Sequence, residues 1–410
     1  MASLIGIGFR ARRASSTIFA VTVFSSAGLV FLVEPMAAKM ILPYLGGSPS
    51  VWNTSLAFFQ AALLLGYAYA HVLQKLRSVR RQQLIHLACL AIAALTLPLR
   101  VNHGLGDPSS QSPNLWLLGE LCLALGAPFT LLSATAPLLQ AWLVRQDRGI
   151  NEPAADVYPL YAASNLGSLI ALLAYPAIVE PLASLAQQRY GWSVGFVAFT
   201  LLIAFIHFTE KFSDATGASV QLPSAATKPS KLTVLRWILL AAAPSSLMLG
   251  VTTHLTTDIG SFPFLWAAPL ALYLITFIIA FSAKVVPNRS LLLTLQAVAL
   301  CVLIGIGPLS GVALGWQFGL TLLTFFLTCL VCHLALADLR PEPASLTLFY
   351  LCVSFGGVLG GAFNAFIAPT IFQTVVEYPM VLVLAGLARP YRQNVVAIFL
   401  HPLPTSRSTK

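Results

Sequence analysis

The stretch FLVEPMAAKMILPYLGG, residues 31–47, places a glutamate and a lysine inside an apolar run long enough to cross a membrane. No charge precedes Glu34 in residues 15–33, and the apolar run resumes after Lys39 and continues to Leu45. A charge at the centre of a bilayer costs about 2.5–3.5 kcal/mol on insertion scales, so such residues are candidates for binding sites and transport pathways. The segment therefore predicts a membrane helix that carries a candidate site.

The composition extends this prediction to the whole chain. Of its 410 residues, 58% are hydrophobic and only 9% are charged, and the mean hydropathy is +0.83. Soluble domains typically carry about 25% charged residues. The fold class we predict is an all-α polytopic membrane protein whose main partner is the lipid bilayer.

Apolar runs of about 20 residues are long enough to span a bilayer as helices. The first run is longer than the apolar core of a signal peptide, so we interpret it as a retained span. The last is the weakest, because Glu377 and Pro379 interrupt it. The twelve candidate spans are residues 17–44, 52–74, 82–100, 115–143, 159–182, 192–209, 235–258, 262–283, 289–307, 314–337, 345–368 and 372–388.

The net charge of +10 is explained by topology and does not require a nucleic-acid partner. With the N-terminus in the cytoplasm, all but three of the 23 Lys and Arg residues fall in cytoplasmic segments, the exceptions being Lys39, Arg100 and Arg189. This distribution follows the positive-inside rule and predicts that both termini are cytoplasmic. The predicted division is a cytoplasmic N-terminus (1–16), a first six-helix half (17–209), a cytoplasmic linker (210–234), a second half (235–388) and a cytoplasmic tail (389–410).

The two halves show weak internal similarity. LYAASNLGSLIALLAYP (160–176) aligns with FYLCVSFGGVLGGAFNA (349–365), which places Tyr161 over Tyr350 and Gly167 over Gly356. Two parallel six-helix repeats are the architecture of major facilitator transporters. We therefore expect about twelve transmembrane helices in a major-facilitator-like arrangement.

Glu34 and Lys39 are the first candidate site residues. Pro35 removes a backbone donor between them and can kink the helix, which favours a polar element lining a cavity between the halves. Two structural interpretations compete with this one. The two side chains could form an ion pair with each other, or Lys39 could extend to the outer interface.

His254 and Asp258 are four residues apart on the seventh span, the repeat partner of the first, and share a helix face. A histidine beside a carboxylate is suited to proton coupling, although Asp258 could simply cap the outer end of the helix. We expect Trp52, Asn53 and Asn165 to shape the same cavity.

The remaining polar residues in apolar segments favour structural roles. Three acids fall near the outer ends of spans, where interfacial solvation explains them: Glu120, Glu180 and Glu377. Cys329, Cys332 and His333 match the spacing of a c-type haem attachment site. They lie inside an apolar span, whereas haem attachment occurs outside the membrane. We therefore predict no cofactor and no metal site.

Several long blocks carry a family resemblance. They are FLVEPMAAKMILPYLGGSPSVWNTSLAFFQAALLLGYAYAH (31–71), LYAASNLGSLIALLAYPAIVEPL (160–182), PSSLMLGVTTHLTTDIGSFPFLWAAPLALYLITF (244–277), FGGVLGGAFNAFIAP (355–369) and EYP (377–379). They resemble the membrane module of the bacterial fused MFS/spermidine synthase proteins. A soluble synthase-like domain usually follows in that family. No counterpart is found after Arg389, so we expect no enzyme activity from this chain.

The leading functional hypothesis is secondary transport of a small, cationic or polyamine-like solute across the bacterial inner membrane. A second hypothesis is a membrane scaffold or regulatory partner of a separately encoded spermidine synthase-like enzyme. A third is a truncated product without activity. Transport predicts that Glu34 and Asp258 contact a cation and that His254 relays protons.

Overall fold

Helices account for nearly all of the chain that the computed structural model describes: residues 2–101, 105–106, 108, 112–146, 158–210, 212, 229–259, 267–281, 288–306, 314–341, 345–372 and 377–387. The described side chains exclude those of residues 2–15, 49, 158–159, 256–259, 306, 314, 346 and 387. Within these limits the helices form twelve units, six on either side of residue 212. The expected number of about twelve helices, six in each half, is confirmed, and the predicted domain bounds stay a prediction.

The first half contains α1 (Ala2–Leu45), α2 (Pro49–Leu73), α3 (Val79–Ala94), α4, α5 and α6 (Leu185–Thr209). Helix α4 joins Pro113–Leu121 to Ala127–Val144 through a π-helical turn at Cys122–Gly126. Helix α5 likewise joins Tyr158–Ala174 to Glu180–Leu182 through Tyr175–Val179.

The second half contains α7 (Lys231–Ile259), α8 (Ala267–Phe281), α9 (Arg289–Ile306), α10 (Leu314–Asp338), α11 and α12 (Glu377–Leu387). Helix α11 joins Leu346–Ala362 to Ala368–Ile371 through a π-helical turn at Phe363–Ile367. The fifth helix of each half therefore ends in the same way, which adds a structural likeness to the alignment of these two helices.

Eight of the described helices are long and apolar enough to cross a membrane. The apolar helices Ala267–Phe281, Arg289–Gly305 and Glu377–Gly386 are shorter, and α3 has 16 residues. Three helices differ in extent from the predicted spans. The backbone is helical from Ala2 rather than from residue 17, α3 ends at Ala94 rather than at residue 100, and α7 begins at Lys231. Most of the predicted linker, residues 213–228, and the tail lie outside the described residues.

Local sequence explains where several helices begin and end. Helix α1 ends before Gly46, which has a φ of 71°, a left-handed conformation that glycine adopts without steric cost. Ser48 then caps α2 by accepting a hydrogen bond from the backbone N–H of Val51. Ser184 and Gln187 form a reciprocal capping box at the start of α6.

Two contacts between helix ends lie on the same side of the bundle. The end of α2 meets the start of α11, where His71 Nδ1 lies 3.1 Å from Thr347 Oγ1. The start of α9 meets the end of α10 through a 2.9 Å salt bridge between Arg289 and Asp338. We call the side on which α1 begins the inner side and the opposite side the outer side. The positive-inside rule predicts that the inner side is cytoplasmic.

Equivalent helices of the two halves form the main packing contacts, both inside each half and between the halves. In each half the first and fifth helices pack closely, α1 against α5 and α7 against α11. The halves meet along two seams, one between α2 and α11 and the other between α5 and α8. A pseudo-two-fold that exchanges helix n with helix n+6 exchanges these two seams.

Glycines permit both of the close packings. A Cβ on Gly167 of α5 would overlap the carbonyl oxygen of Phe24 in α1. A Cβ on Gly356 of α11 would overlap the carbonyl oxygen of Ile238 in α7. Gly167 and Gly356 are the residues that the internal alignment pairs, and both bring two helix backbones together.

Candidate functional site

A cavity of about 270 Å³ lies between the two halves. Helices α1, α2, α4 and α5 line it from the first half, and α7, α8 and α11 line it from the second. Its walls extend from the middle of the bundle, at Leu56 and Met248, toward the inner ends of α5 and α11. Small-molecule sites are concave, mostly apolar and marked by a few polar groups, so this cavity is the candidate site.

Glu34 is the one formally charged residue among the described residues that line the cavity. Only 9% of its surface is exposed. No described side chain forms an ion pair or a hydrogen bond with its carboxyl group. Helix α1 continues through Pro35 next to it. A carboxyl group in this position can bind a cation or a proton.

Four tyrosines line the cavity, one from each of the four helices that form the seams: Tyr67, Tyr161, Tyr273 and Tyr350. The rings of Tyr67 and Tyr350 lie 6.2 Å apart across the seam between α2 and α11. The ring of Tyr161 lies 5.3 Å from that of Phe281 across the other seam. These aromatic pairs join the halves at the inner end of the cavity.

Several buried polar atoms of the lining lack a hydrogen-bond partner among the described residues: Gln60 Oε1, Gln140 Oε1, Asn165 Nδ2 and Ser354 Oγ. Leaving such groups unpaired costs about 1–3 kcal/mol each, so native structures usually satisfy them. The four atoms come from α2, α4, α5 and α11 and include both acceptors and a donor. They provide hydrogen-bonding positions for water or for a polar solute.

The halves also meet on the outer side of the cavity. Asn53 of α2 donates a hydrogen bond from Nδ2 to Thr253 Oγ1 of α7 at 3.0 Å. Leu56 of α2 and Leu172 of α5 are buried in a hydrophobic cluster formed mainly by the second half. Trp52 packs partly buried against the same cluster. These contacts form a layer between the halves on the outer side of the cavity.

Comparisons with known proteins identify the fold. No protein-family model and no curated protein matches the chain. The inward-open xylose transporter XylE from E. coli matches it with a TM-score of 0.53 and 14% identity, over 90% of this chain and 95% of that one. The POT family transporter PepTSo matches it with a TM-score of 0.54 and 13% identity, over 90% and 96%.

A POT family transporter in complex with 5-aminolevulinic acid also matches, with a TM-score of 0.52 and 13% identity, over 93% of this chain and 95% of that one. The chain has a major-facilitator-like fold. The predicted fold class is therefore confirmed. At such low identity these similarities concern the fold alone.

Within the major-facilitator-like fold, the predicted site residues divide into three groups. Glu34 and Asn165 line the cavity. Asn53 and Trp52 belong to the contact layer on its outer side. Lys39 and His254 are not among the described lining residues, and the side chain of Asp258 lies outside the described residues.

The alternative interpretation, an ion pair between Glu34 and Lys39, is not observed. Lys39 Nζ instead lies 3.2 Å from Glu180 Oε1 on α5, with both side chains about one-third exposed. His254 stacks on Tyr378 of α12, with ring centroids 5.5 Å apart. Its ring therefore faces the twelfth helix, and the predicted grouping of His254 opposite Glu34 at one cavity is not observed.

The interfacial interpretation of Glu120 was also wrong, since this residue is only 1% exposed within the protein. Glu377 is buried as well and begins α12. The described residues contain no group of three or more potential metal ligands. His333 is held instead by Thr276, whose hydroxyl oxygen lies 2.8 Å from Nδ1, and it packs on Phe277 behind the cavity wall.

Sequence reasoning missed the four tyrosines and the amide side chains of Gln60 and Gln140. A signal for two of the tyrosines was present, because the internal alignment pairs Tyr161 with Tyr350. Neither glutamine stands out in the sequence, because a polar residue in an apolar run can face a neighbouring helix, a cavity or the backbone of its own helix.

Proposed function

We propose that this protein is a secondary transporter of a small organic cation. The observation that carries the proposal is the cavity between the halves, with Glu34 as the one formal charge among its described lining residues. A buried anionic group without a partner attracts a positive charge or a proton. We propose that the chain itself has no enzyme activity.

The absence of basic side chains from the described lining argues against an anionic solute, because nothing there would compensate a buried negative charge. The structural neighbours include sugar and peptide transporters. They support transport by this fold and leave the solute to be inferred from the cavity.

The contacts between the halves fit alternating access, in which two repeats rock around a central site. On the outer side, Asn53 and Thr253 join α2 to α7. On the inner side, His71 and Thr347 join α2 to α11. Opening the outer side would break the hydrogen bond between Asn53 and Thr253 and the apolar packing of Leu56 and Leu172, and opening the inner side would break the aromatic contacts there. Glu34 lies between the two layers.

The proposal is tested with purified protein in proteoliposomes, with hexyltrimethylammonium and putrescine as labelled probes and an imposed pH gradient. Both probes are cationic and cross bare bilayers poorly. We expect uptake of at least one of the two probes above that of empty liposomes, with a loss of at least tenfold in Glu34→Gln. Glu180→Gln is the matched control because it removes a carboxylate outside the cavity, and its uptake should remain within about twofold of wild type.

Two results would count against the proposal. One is uptake of both cations that is insensitive to Glu34→Gln in a protein that remains folded. The other is no uptake and no binding of either cation by wild-type protein. Thermal unfolding of each variant in detergent establishes that a loss of transport is not a loss of fold.

The sequence blocks quoted above support a finer proposal, that the chain corresponds to the membrane module of the fused MFS/spermidine synthase proteins and lies in a bacterial inner membrane with cytoplasmic termini. The scaffold hypothesis makes a separate prediction. Affinity-purified protein should retain a synthase-like enzyme if that hypothesis holds, whereas transport requires no such partner.

A further inference from the structure

The charge count of the cavity limits the charge of its solute. Among the described lining residues, Glu34 supplies the one carboxyl group and no Lys, Arg or His is present. The other described acids of the outer half lie elsewhere. Glu180 pairs with Lys39, and neither Glu120 nor Glu377 lines the cavity. A solute with one positive charge therefore finds one counter-charge in the described wall.

A second positive charge on the solute would meet aromatic and neutral polar groups instead. The wall away from Glu34 carries tyrosines and phenylalanines, including Tyr273, Phe277 and Phe281. The face of an aromatic ring attracts a cation, but one such contact returns less free energy than the burial of an unpaired ion costs. The same rings form a good surface for an apolar group.

We infer that the solute is a monovalent organic cation with an apolar body, whose positive group binds at Glu34 and whose body packs among the aromatic residues of α8 and α11. This inference rests on the proposed function and narrows it, because it excludes the polyamines that the family resemblance suggested. The carbonyl oxygen of the Gln140 side chain, unpaired among the described residues, would serve a polar substituent of that body.

The test compares two quaternary ammonium ions that share a six-carbon chain. Hexyltrimethylammonium has one charge and hexamethonium has two, and neither can lose its charge by deprotonation. Both compete against labelled hexyltrimethylammonium for binding to purified wild-type protein. We expect hexamethonium to bind at least tenfold more weakly. The neutral analogue hexanol should compete more weakly than hexyltrimethylammonium.

A second carboxylate in the wall should change this preference. Gln140→Glu introduces one at nearly constant shape, and Ser354→Asp introduces one from α11 if the first variant does not fold. We expect hexamethonium binding to improve at least tenfold relative to hexyltrimethylammonium. Gln187→Glu is the control, because Gln187 is exposed and glutamate also satisfies its capping box.

The outcomes separate this inference from the proposed function. Equal affinity for both ions, with uptake that depends on Glu34, would overturn the single-charge inference and leave cation transport in place. Weaker hexamethonium binding that the second carboxylate does not improve would also overturn it, because charge count would then not be the cause. If neither ion binds, both the inference and the proposed function fail.

Discussion

The neighbouring glycines Gly356 and Gly357 provide a test of how closely α7 and α11 pack. A Cβ on Gly356 would overlap the carbonyl oxygen of Ile238 and approach the Cβ of Ala241 to 2.9 Å. A Cβ on Gly357 would meet nothing within 4 Å. Both positions are helical, so replacement by alanine gains about 1 kcal/mol of helix propensity at either one. The propensity gain cancels when the two variants are compared.

The remaining difference is the cost of overpacking, about 1–3 kcal/mol, and the upper part of that range applies because backbone atoms cannot rotate away as a side chain can. Gly357→Ala should raise the free energy of unfolding by up to about 1 kcal/mol. Gly356→Ala should lower it relative to Gly357→Ala by about 2–3 kcal/mol. Equilibrium unfolding in mixed detergent micelles measures both values. Equal stability of the two variants would refute the close packing of α7 against α11.

Two further predictions concern polar contacts outside the cavity. A double-mutant cycle with Lys39→Met and Glu180→Gln should give a coupling energy below about 1 kcal/mol, because the ion pair is partly exposed. A coupling energy of several kcal/mol in the same unfolding assay would contradict this prediction. Asn53→Ala removes the hydrogen bond to Thr253, which is worth about 0.5–1.5 kcal/mol. The Asn53→Ala variant should therefore increase the rate at which a thiol reagent labels a cysteine introduced on the outer side. Unchanged labelling rates would show that this hydrogen bond does not hold the outer side closed.

Much of the fold could be predicted from the sequence, because each membrane helix must be apolar and must pair its own backbone polar groups. Backbone polar groups in the hydrocarbon region must bond within a helix, so apolar runs identify helices with little help from tertiary contacts. Boundaries were harder to predict. Residues 2–16 continue α1 despite their polar and basic side chains, and α3 stops at Ala94 although the apolar composition continues beyond it.

The candidate site was only partly predictable, and the reason is physical. A membrane helix is apolar on both its lipid-facing and its protein-facing sides, so periodicity does not show which face meets a cavity. Glu34 could be predicted because a carboxyl group in an apolar run is costly wherever it points. His254 could not, because the rotation of α7 that stacks it on Tyr378 follows from packing against α12.

The repeat explains which parts of the cavity are symmetric and which are not. Equivalent seam helices each contribute a tyrosine, two from the first half and two from the second. The carboxyl group has no such equivalent among the described lining residues. Helix α1 contributes Glu34, whereas its repeat partner α7 contributes Ser245 and Met248 to the lining.

This asymmetry bears on how a cation would cross. On the transport proposal, the positive charge stays paired with the first half throughout the cycle, because the second half offers only neutral groups among the described lining residues. Rocking of the second half then breaks aromatic contacts such as that between Tyr161 and Phe281, and no ion pair has to break in the low-dielectric centre of the bundle. Moving the carboxyl group to α7, with Glu34→Gln and Met248→Glu combined, would change which half holds the charge. Restored cation binding without restored transport would show that the position of the charge matters for movement as well as for affinity.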